Sequence, residues 1–537
     1  MSTQDTSVLH ATANYYNNVP YHSNPFPQSH PGLLKGVASL FGIVPKDLNK
    51  ARVLELGCAS GGNLIPLAYF YPEIDLVGVD LSEVQIQEGQ ALVKELGLDN
   101  RVALHQMSIT DIPESFGKFD YIVCHGVYSW VPEFVQEGIL DIVSKHLVDD
   151  GVAYISYNIY PGWKTLEIAR DSMLFHTRHI TDPAQKIQHA RVMINFMQEH
   201  AKKDSIYKQI MDNAQRLIHN SADYYVSHEF LEIHNSPCYF LEMVEKAEKH
   251  GLAYLSDCSI SSVFSENWGD EVRNELLKAS GHNQVVLEQY IDYMTNRQFR
   301  QSIFMKNTES KKISRSVNLE KIKKLNYSLH VEKETTPREN DPEFSYFCFN
   351  RSPNSFYRTQ DTALIPYLES LIKLNHKIFK FEEYAQVLEQ QLGHKYQEEV
   401  ALSLLQRLVI LGLITPFGDA PQTNAPTTEL SEKPKISEFN RLAAKTRNYL
   451  VNSNLEMISV DEVAMHIIPA MDGSHDKQAL VETLLAAATE DKVFFHRKEP
   501  GKEEAVIIKD EEELKTLSAN YINDLCNRLQ RYSMFVA

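Results

Sequence analysis

The sequence predicts an α/β protein: a doubly wound, Rossmann-like parallel sheet followed by mostly helical domains, one of them with a winged-helix shape as an option. Three observations carry this. Short apolar runs alternate with helix-length segments from Ala51 to Asn158. After Trp163 the strand pattern gives way to helical periodicity through about residue 300. A Pro-, Thr- and Ser-rich stretch at 416–436 then sets off the last hundred or so residues.

The expected strands are VLELG (53–57), LVGVD (76–80), VALHQ (102–106), FDYIVCHG (119–126) and VAYISYN (152–158). Ser82 is placed to cap a helix, Gly97 to end it, and the DDG run at 149–151 to turn into the fifth strand. Segments such as AQKIQHARVMINFMQEHAKK and CYFLEMVEKAEKHG read as amphipathic helices of a separate domain. The stretch 296–325 holds nine basic and two acidic residues and reads as a solvated connector. Residues 361–415 predict short helices ending in a strand, with Leu404, Leu405, Leu408 and Val409 as one apolar face and Gly412 as the stop. The resulting division is 1–165 catalytic with an N-terminal flap, 166–305 helical, 306–415 middle and partly winged-helix-like, 416–436 linker and 437–537 C-terminal.

The 537 residues allow two to four domains at about 150 residues each, with a composition (43% hydrophobic, 23% charged) that excludes disorder as the default. A net charge of −18 argues against a broad nucleic-acid interface. Six scattered cysteines without a C-x-x-C pair argue against a zinc site or a disulfide framework and fit a reducing, cytoplasmic setting. The N-terminus lacks the pattern of a signal peptide, and no apolar run of 18 residues predicts a membrane span.

The chemistry concentrates in ELGCASGGNL (55–64), a glycine turn at the end of the first strand. Such a turn lets a ligand approach the backbone, and Asp80, 23 residues after Gly57, ends the second strand where a carboxylate accepts ribose hydroxyls. The spacing departs from G-x-G-x-x-G, and Glu55 just before the turn suits a cationic amino-acid ligand better than a pyrophosphate, which favours S-adenosylmethionine over a dinucleotide. No [DNS]-P-P-[YF] run follows the fourth strand, which argues against base exocyclic amines as substrate. His228-Glu229 with His234 has the wrong spacing for H-E-x-x-H, so no metal is assigned and these residues are expected to cap and pack their helix.

VLELGCASGGNLIPLA and VGVDLS resemble the first two motifs of class I methyltransferases. The resemblance implies that Glu55, Gly57, Cys58 and Asn63 hold the methionine portion of the cofactor, Asp80 the ribose and Leu81 the adenine. Ser108, beside Ile109, stands where the family often has an adenine-binding Asp, and His125 closes the fourth strand beside the expected sulfonium. NNVPYHSNPFPQSHP (17–31), CHGVYSWVP (124–132), YNIYPGW (157–163) and SHEFLEIHNSPCYFLEMVEKAEKHGLAYL (227–255) further resemble methyltransferases with a regulatory domain, best represented by the rickettsial-type outer-membrane-protein lysine methyltransferases. The likeness spans residues 10–305, with PAMDGSHDKQALVE (469–482) familiar beyond it. It implies protein lysine N-methylation, a homodimer and a flap whose Tyr16, Tyr21 and His30 touch the cofactor.

Methyl transfer to an amine needs alignment, desolvation and a neutral nucleophile, which aromatic walls promote. The loops after strands four and five carry Tyr128 and Trp130, then Tyr160 and Trp163, with Asn158 as an acceptor for the amine; packing of the sheet on the helical domain is the competing role for these rings. Expected partners are a protein substrate and a second copy of the chain, with no nucleic acid and no membrane insertion. A cofactor-sensing scaffold and a small-molecule methyltransferase are the alternatives.

Overall fold

The computed structural model describes residues 23–423, 425–427, 430–497 and 506–536. Its centre is a seven-stranded sheet ordered β3-β2-β1-β4-β5-β7-β6. β1 (Arg52–Leu56), β2 (Asp75–Asp80), β3 (Val102–Gln106), β4 (Phe119–Cys124) and β5 (Leu147–Asn158) run parallel, as the apolar runs predict. Alternate residues feed two cores: Val53 and Leu76 pack on one face, Leu54 and Val77 on the other. Helices therefore cover both sides, and the order reverses between β1 and β4, where open α/β sheets leave a crevice.

The segment expected to be mostly helical supplies the last two strands. β7 (Phe299–Lys306) adds antiparallel to β5, with Asn158 paired to Phe299, and β6 (Leu252–Asp257) adds antiparallel to β7 at the sheet edge. The chain leaves the sheet at residue 158, runs through helices Gly162–Thr177, Pro183–His200, Ile206–Asn220 and Asp223–Phe230, and returns. The boundary drawn at 165 is therefore no boundary of the sheet.

β7 escapes strand patterning because of Arg300, which is fully buried. Its guanidinium donates to Asp292 Oδ2 at 2.8 Å and to Glu288 Oε2 at 2.9 Å, both on helix Gln284–Thr295, and lies 3.5 Å from the Phe240 ring centroid. Arg297 pairs with the buried Asp257 at 2.9 Å. Lys306 and Lys312 reach Asp149 and Asp150, and Arg315 donates to the Leu255 carbonyl. The basic stretch is thus largely a seam rather than a solvated connector: Arg297, Arg300, Lys306, Lys312, Arg315 and Lys323 each meet a partner from outside it.

In the middle region, helices Ile365–Ile372, Phe381–Leu392 and Glu398–Ile410 pack on a small sheet of Asn326–Ser328, Phe379–Lys380 and Thr415–Phe417. Leu404, Leu405, Leu408 and Val409 are buried as predicted, in the same core as Leu34 and Val53. The opening helix Pro31–Leu40 passes so close to this sheet that a Cβ at Gly36 would sit 2.1 Å from the Pro416 carbonyl oxygen. The Pro-rich stretch beyond is anchored, with Lys35 bonded to Asp419 at 2.5 Å and the Thr423 hydroxyl to the Phe70 carbonyl at 3.4 Å. Among the described residues no helix is long and apolar enough to cross a membrane.

Replacing Arg300 with Ala would strand Glu288 and Asp292 inside the protein, and we expect a loss of about 3–5 kcal/mol of stability, read from the urea midpoint. An unchanged midpoint would mean that the buried network does not hold the sheet edge.

Candidate active site

A crevice of about 1430 Å³, its open mouth included, lies at the carboxyl ends of β1, β2 and β4. Its floor is the predicted glycine turn. Gly57 has φ +76°, and a Cβ there would fall 2.4 Å from Val127 Cγ2, so the turn requires glycine both for its conformation and for the approach of the loop after β4. Asp80 holds the turn: its Oδ2 accepts from the Ala59 amide and its Oδ1 from the Ser82 amide, both at 2.9 Å. Burial raises its carboxyl, and the amides of Ser82, Ala59 and Leu81 oppose that shift.

Glu55 sits at the closed end and is almost wholly buried. Asn63 Nδ2 donates to its Oε1 at 2.6 Å, while Oε2 is buried without a hydrogen-bond partner. Burial pushes the Glu55 carboxyl up to about 8, with Asn63 pulling the other way and Asp80 adding to the rise. A buried acceptor lacking a donor is costly unless a ligand supplies one. The same Asn63 accepts the Phe26 amide at 2.7 Å, and the Gly62 amide donates to Ser23 Oγ at 2.8 Å, so the entry segment is stitched to the turn.

Phe26 then lies against His125, ring centroids 4.0 Å apart, and Phe299 of β7 meets the same imidazole edge-on at 6.2 Å. His125 Nδ1 is 2.8 Å from the Tyr154 hydroxyl, and burial lowers the ring to about 4, leaving it neutral at pH 7. Leu81, Met107 and Ile109 form an apolar wall, with Ser108 beside them spending its hydroxyl on the Thr110 amide at 3.3 Å. Trp130, His228 and Glu229 complete the outer wall.

Glu55, Gly57, Cys58, Asn63, Asp80, Leu81, Ser108, Ile109, His125 and Trp130 therefore come together around one space. Tyr16 and Tyr21 lie outside the described residues. His30 does not line the crevice. It is fully buried, its Nδ1 caps Gly32 at 2.8 Å, and its other nitrogen reaches the Ser453 carbonyl at 3.0 Å, with burial lowering the ring to about 3.

Four of the five residues expected to be catalytic also stand behind the crevice. Tyr128 turns into the core against Tyr157 at 6.1 Å. The Asn158 amide donates to Asn235 at 3.0 Å and its backbone to Ser129 Oγ at 2.8 Å. Tyr160 donates to Glu167 at 2.7 Å and lies under Lys164 Nζ at 3.9 Å. Trp163 is buried, edge-on to Trp130 at 6.0 Å and 6.4 Å from Phe230. Packing, the competing role for these rings, describes Tyr128 and Trp163, while the half-buried Tyr160 is engaged by Glu167 and Lys164 away from the crevice.

The lining also includes residues that the sequence reading assigned no role in the site: Phe299, hidden in the basic stretch, and His228 and Glu229, read only as helix packing. Phe26 carried a signal, since it lies in the ring- and proline-rich entry segment.

Residues 47–215 match a methyltransferase domain family, 222–306 a predicted methyltransferase regulatory domain, and 432–534 the C-terminal winged helix domain of PKMT. The winged helix, expected in the middle domain, is matched instead at the C-terminus, around helices Lys477–Thr489 and Glu511–Arg531. An uncharacterized protein of Rickettsia prowazekii is 35% identical over 96% of this chain and 93% of its own length; a second from that organism is 39% identical over 44% of this chain and 94% of its own. The structure of PKMT2 from Rickettsia typhi in complex with AdoHcy superposes with a TM-score of 0.84 at 28% identity, covering 96% of this chain and all of that one. The chain belongs to this family: it is an S-adenosylmethionine-dependent methyltransferase of the protein lysine methyltransferase (PKMT) type, acting on protein, with a class I catalytic domain, a regulatory domain and a C-terminal winged helix.

Proposed function

We propose that the crevice binds S-adenosylmethionine and that the enzyme methylates lysine ε-amines on extended segments of outer-membrane or surface proteins. The observation that carries the first part is the buried, partnerless Oε2 of Glu55, which fits the ammonium of the ligand's methionyl end. Glu55 and Asn63 would hold that end, Asp80 the ribose, and Leu81, Met107 and Ile109 the adenine. The AdoHcy bound by the Rickettsia typhi relative supports the same ligand class here. Bound there, the cofactor supplies a methyl group made electrophilic by its sulfonium charge.

The chain's own residues prepare the transfer. Neutral His125 adds no positive charge near the expected sulfonium, and its contact with Tyr154 fixes the ring. Phe26, Phe299 and Trp130 exclude water, which aligns an amine and strips its solvation. Net charge of −18 favours a cationic, lysine-bearing acceptor. The surface-protein assignment follows the likeness of the entry, strand-four and strand-five motifs to the rickettsial-type enzymes. A homodimer is supported by exposed Phe175, Val192, Phe196 and Ile206 on the helical excursion, apolar surface that a second copy would cover.

Glu55 gives binding a pH dependence. Below pH about 8 its carboxyl is protonated in the free protein, whereas a cationic ligand selects the carboxylate, so binding releases a proton. AdoHcy affinity should rise by up to about tenfold per pH unit below 7 and level off near 8. Calorimetry in buffers of different ionisation enthalpy reads the released proton; a flat profile, or Glu55→Gln binding like the native protein, would refute the assignment. For the substrate, methyl-labelled S-adenosylmethionine should mark lysines of an unfolded outer-membrane passenger domain. Transfer confined to other proteins would remove the surface-protein assignment.

A further inference from the structure

We infer that Glu229, contributed by the regulatory domain, receives the ammonium of the substrate lysine in the crevice and takes its proton before methyl transfer. This rests on the methyl-transfer reading above and adds to it the group that makes the nucleophile neutral.

A lysine has a pKa of about 10.4, so at neutral pH it enters as an ammonium and must lose a proton. Among the described residues, the ionisable side chains lining the crevice are Glu55, Cys58, Asp80, His125, His228 and Glu229. Glu55 lies at the closed end with Asn63, and both oxygens of Asp80 are committed to backbone amides. The Cys58 thiol is buried, held as a thiol and packed toward β2 against Gly78. His125 is engaged by Tyr154, and His228 is buried and already engaged. Glu229 is different: it is half-buried, lines the crevice, and among the described residues its carboxyl makes no hydrogen bond or ion pair.

Its placement is keyed to the catalytic loop. Glu229 precedes Phe230 on helix Asp223–Phe230, and Phe230 packs on Trp163, which packs on Trp130 of the crevice. This run of rings sets the regulatory helix against the loop after β4. Trp130 and Glu229 thus line one cavity, where an indole and a carboxylate suit a cation. Burial also constrains its charge, pushing the Glu229 carboxyl up to about 7, near the pH at which a base must accept and return protons. Among the described residues, the titratable groups that share the crevice with it are His228 on its own helix and Glu55, Cys58, Asp80 and His125 from the sheet side. Burial is the cause of its shift.

The step balances. The lysine ammonium gives one proton to the Glu229 carboxylate, forming a carboxylic acid and a neutral amine. The amine lone pair forms the new N–CH₃ bond as the S–CH₃ bond breaks, its electron pair staying on sulfur, and Glu229 later returns its proton to water.

The test compares the native enzyme with Glu229→Gln and Glu229→Asp, using the unfolded passenger domain as acceptor. We expect AdoHcy affinity unchanged in both variants, which also reports folding. Native kcat/KM should rise through pH about 7. In Glu229→Gln it should fall by about 10²-fold or more and lose that limb, with Glu229→Asp restoring it in part. With AdoHcy bound, fluorescence anisotropy should show the passenger domain binding the native enzyme more tightly at pH 8 than at pH 6, and the Gln variant showing no such difference. Glu229→Gln that keeps the native rate and pH profile overturns the inference while leaving the enzyme assignment intact; a native enzyme that fails to bind AdoHcy would instead sink the cofactor reading.

Discussion

Burial of the Arg300 guanidinium is the interaction on which the far wall of the crevice depends. A fully buried cation is tolerable only beside Glu288 and Asp292, so β7 and helix Gln284–Thr295 must dock together. That docking returns the chain to β5 after an excursion of about 140 residues and places Phe299, the neighbour of Arg300, at the crevice beside His125. The regulatory segment is therefore an insertion into the catalytic sheet, and its helix Asp223–Phe230 is held in register with the loop that carries Trp130.

The near wall is braced from the other end of the chain. Ser23 accepts the Gly62 amide with its hydroxyl and the Tyr449 hydroxyl with its carbonyl, at 2.8 and 3.3 Å. His30 meets the Ser453 carbonyl, and the Glu438 amide donates to Tyr69 at 3.0 Å on the helix after the glycine turn. The C-terminal winged helix thus supports the entry segment that covers the crevice. Rigid contacts of this kind preorganise a cavity so that little ordering remains when a ligand arrives.

Electrostatics divides the crevice into a closed, acidic end and an open, aromatic one. Glu55 is raised by burial and waits for a cation, Asp80 is pinned by amides, and His125 is kept uncharged. The same residue types in solvent would titrate near their ordinary values and offer no such contrast. Enclosure between sheet, entry segment and regulatory helix makes the difference.

How much of this was legible follows from which contacts are local. The five parallel strands, the glycine turn and Asp80 were readable because apolar alternation and glycine spacing are properties of neighbouring residues, and strand ends in such sheets converge on one crevice. Tyr128 and Trp130 show the limit: two residues apart on one turn, one enters the core and the other the crevice, and spacing does not say which. Tyr160 and Trp163 lie outside the crevice lining for the same reason, and His30 was claimed by helix Pro31–Leu40. β7, Phe299 and Glu229 could not be read at all, since their roles rest on partners tens to hundreds of residues away. The sequence by itself determined the catalytic sheet and the end of it that binds; only tertiary folding decided which side chains reach the ligand, because burial and charge pairing are set by what packs against a residue, not by what precedes it.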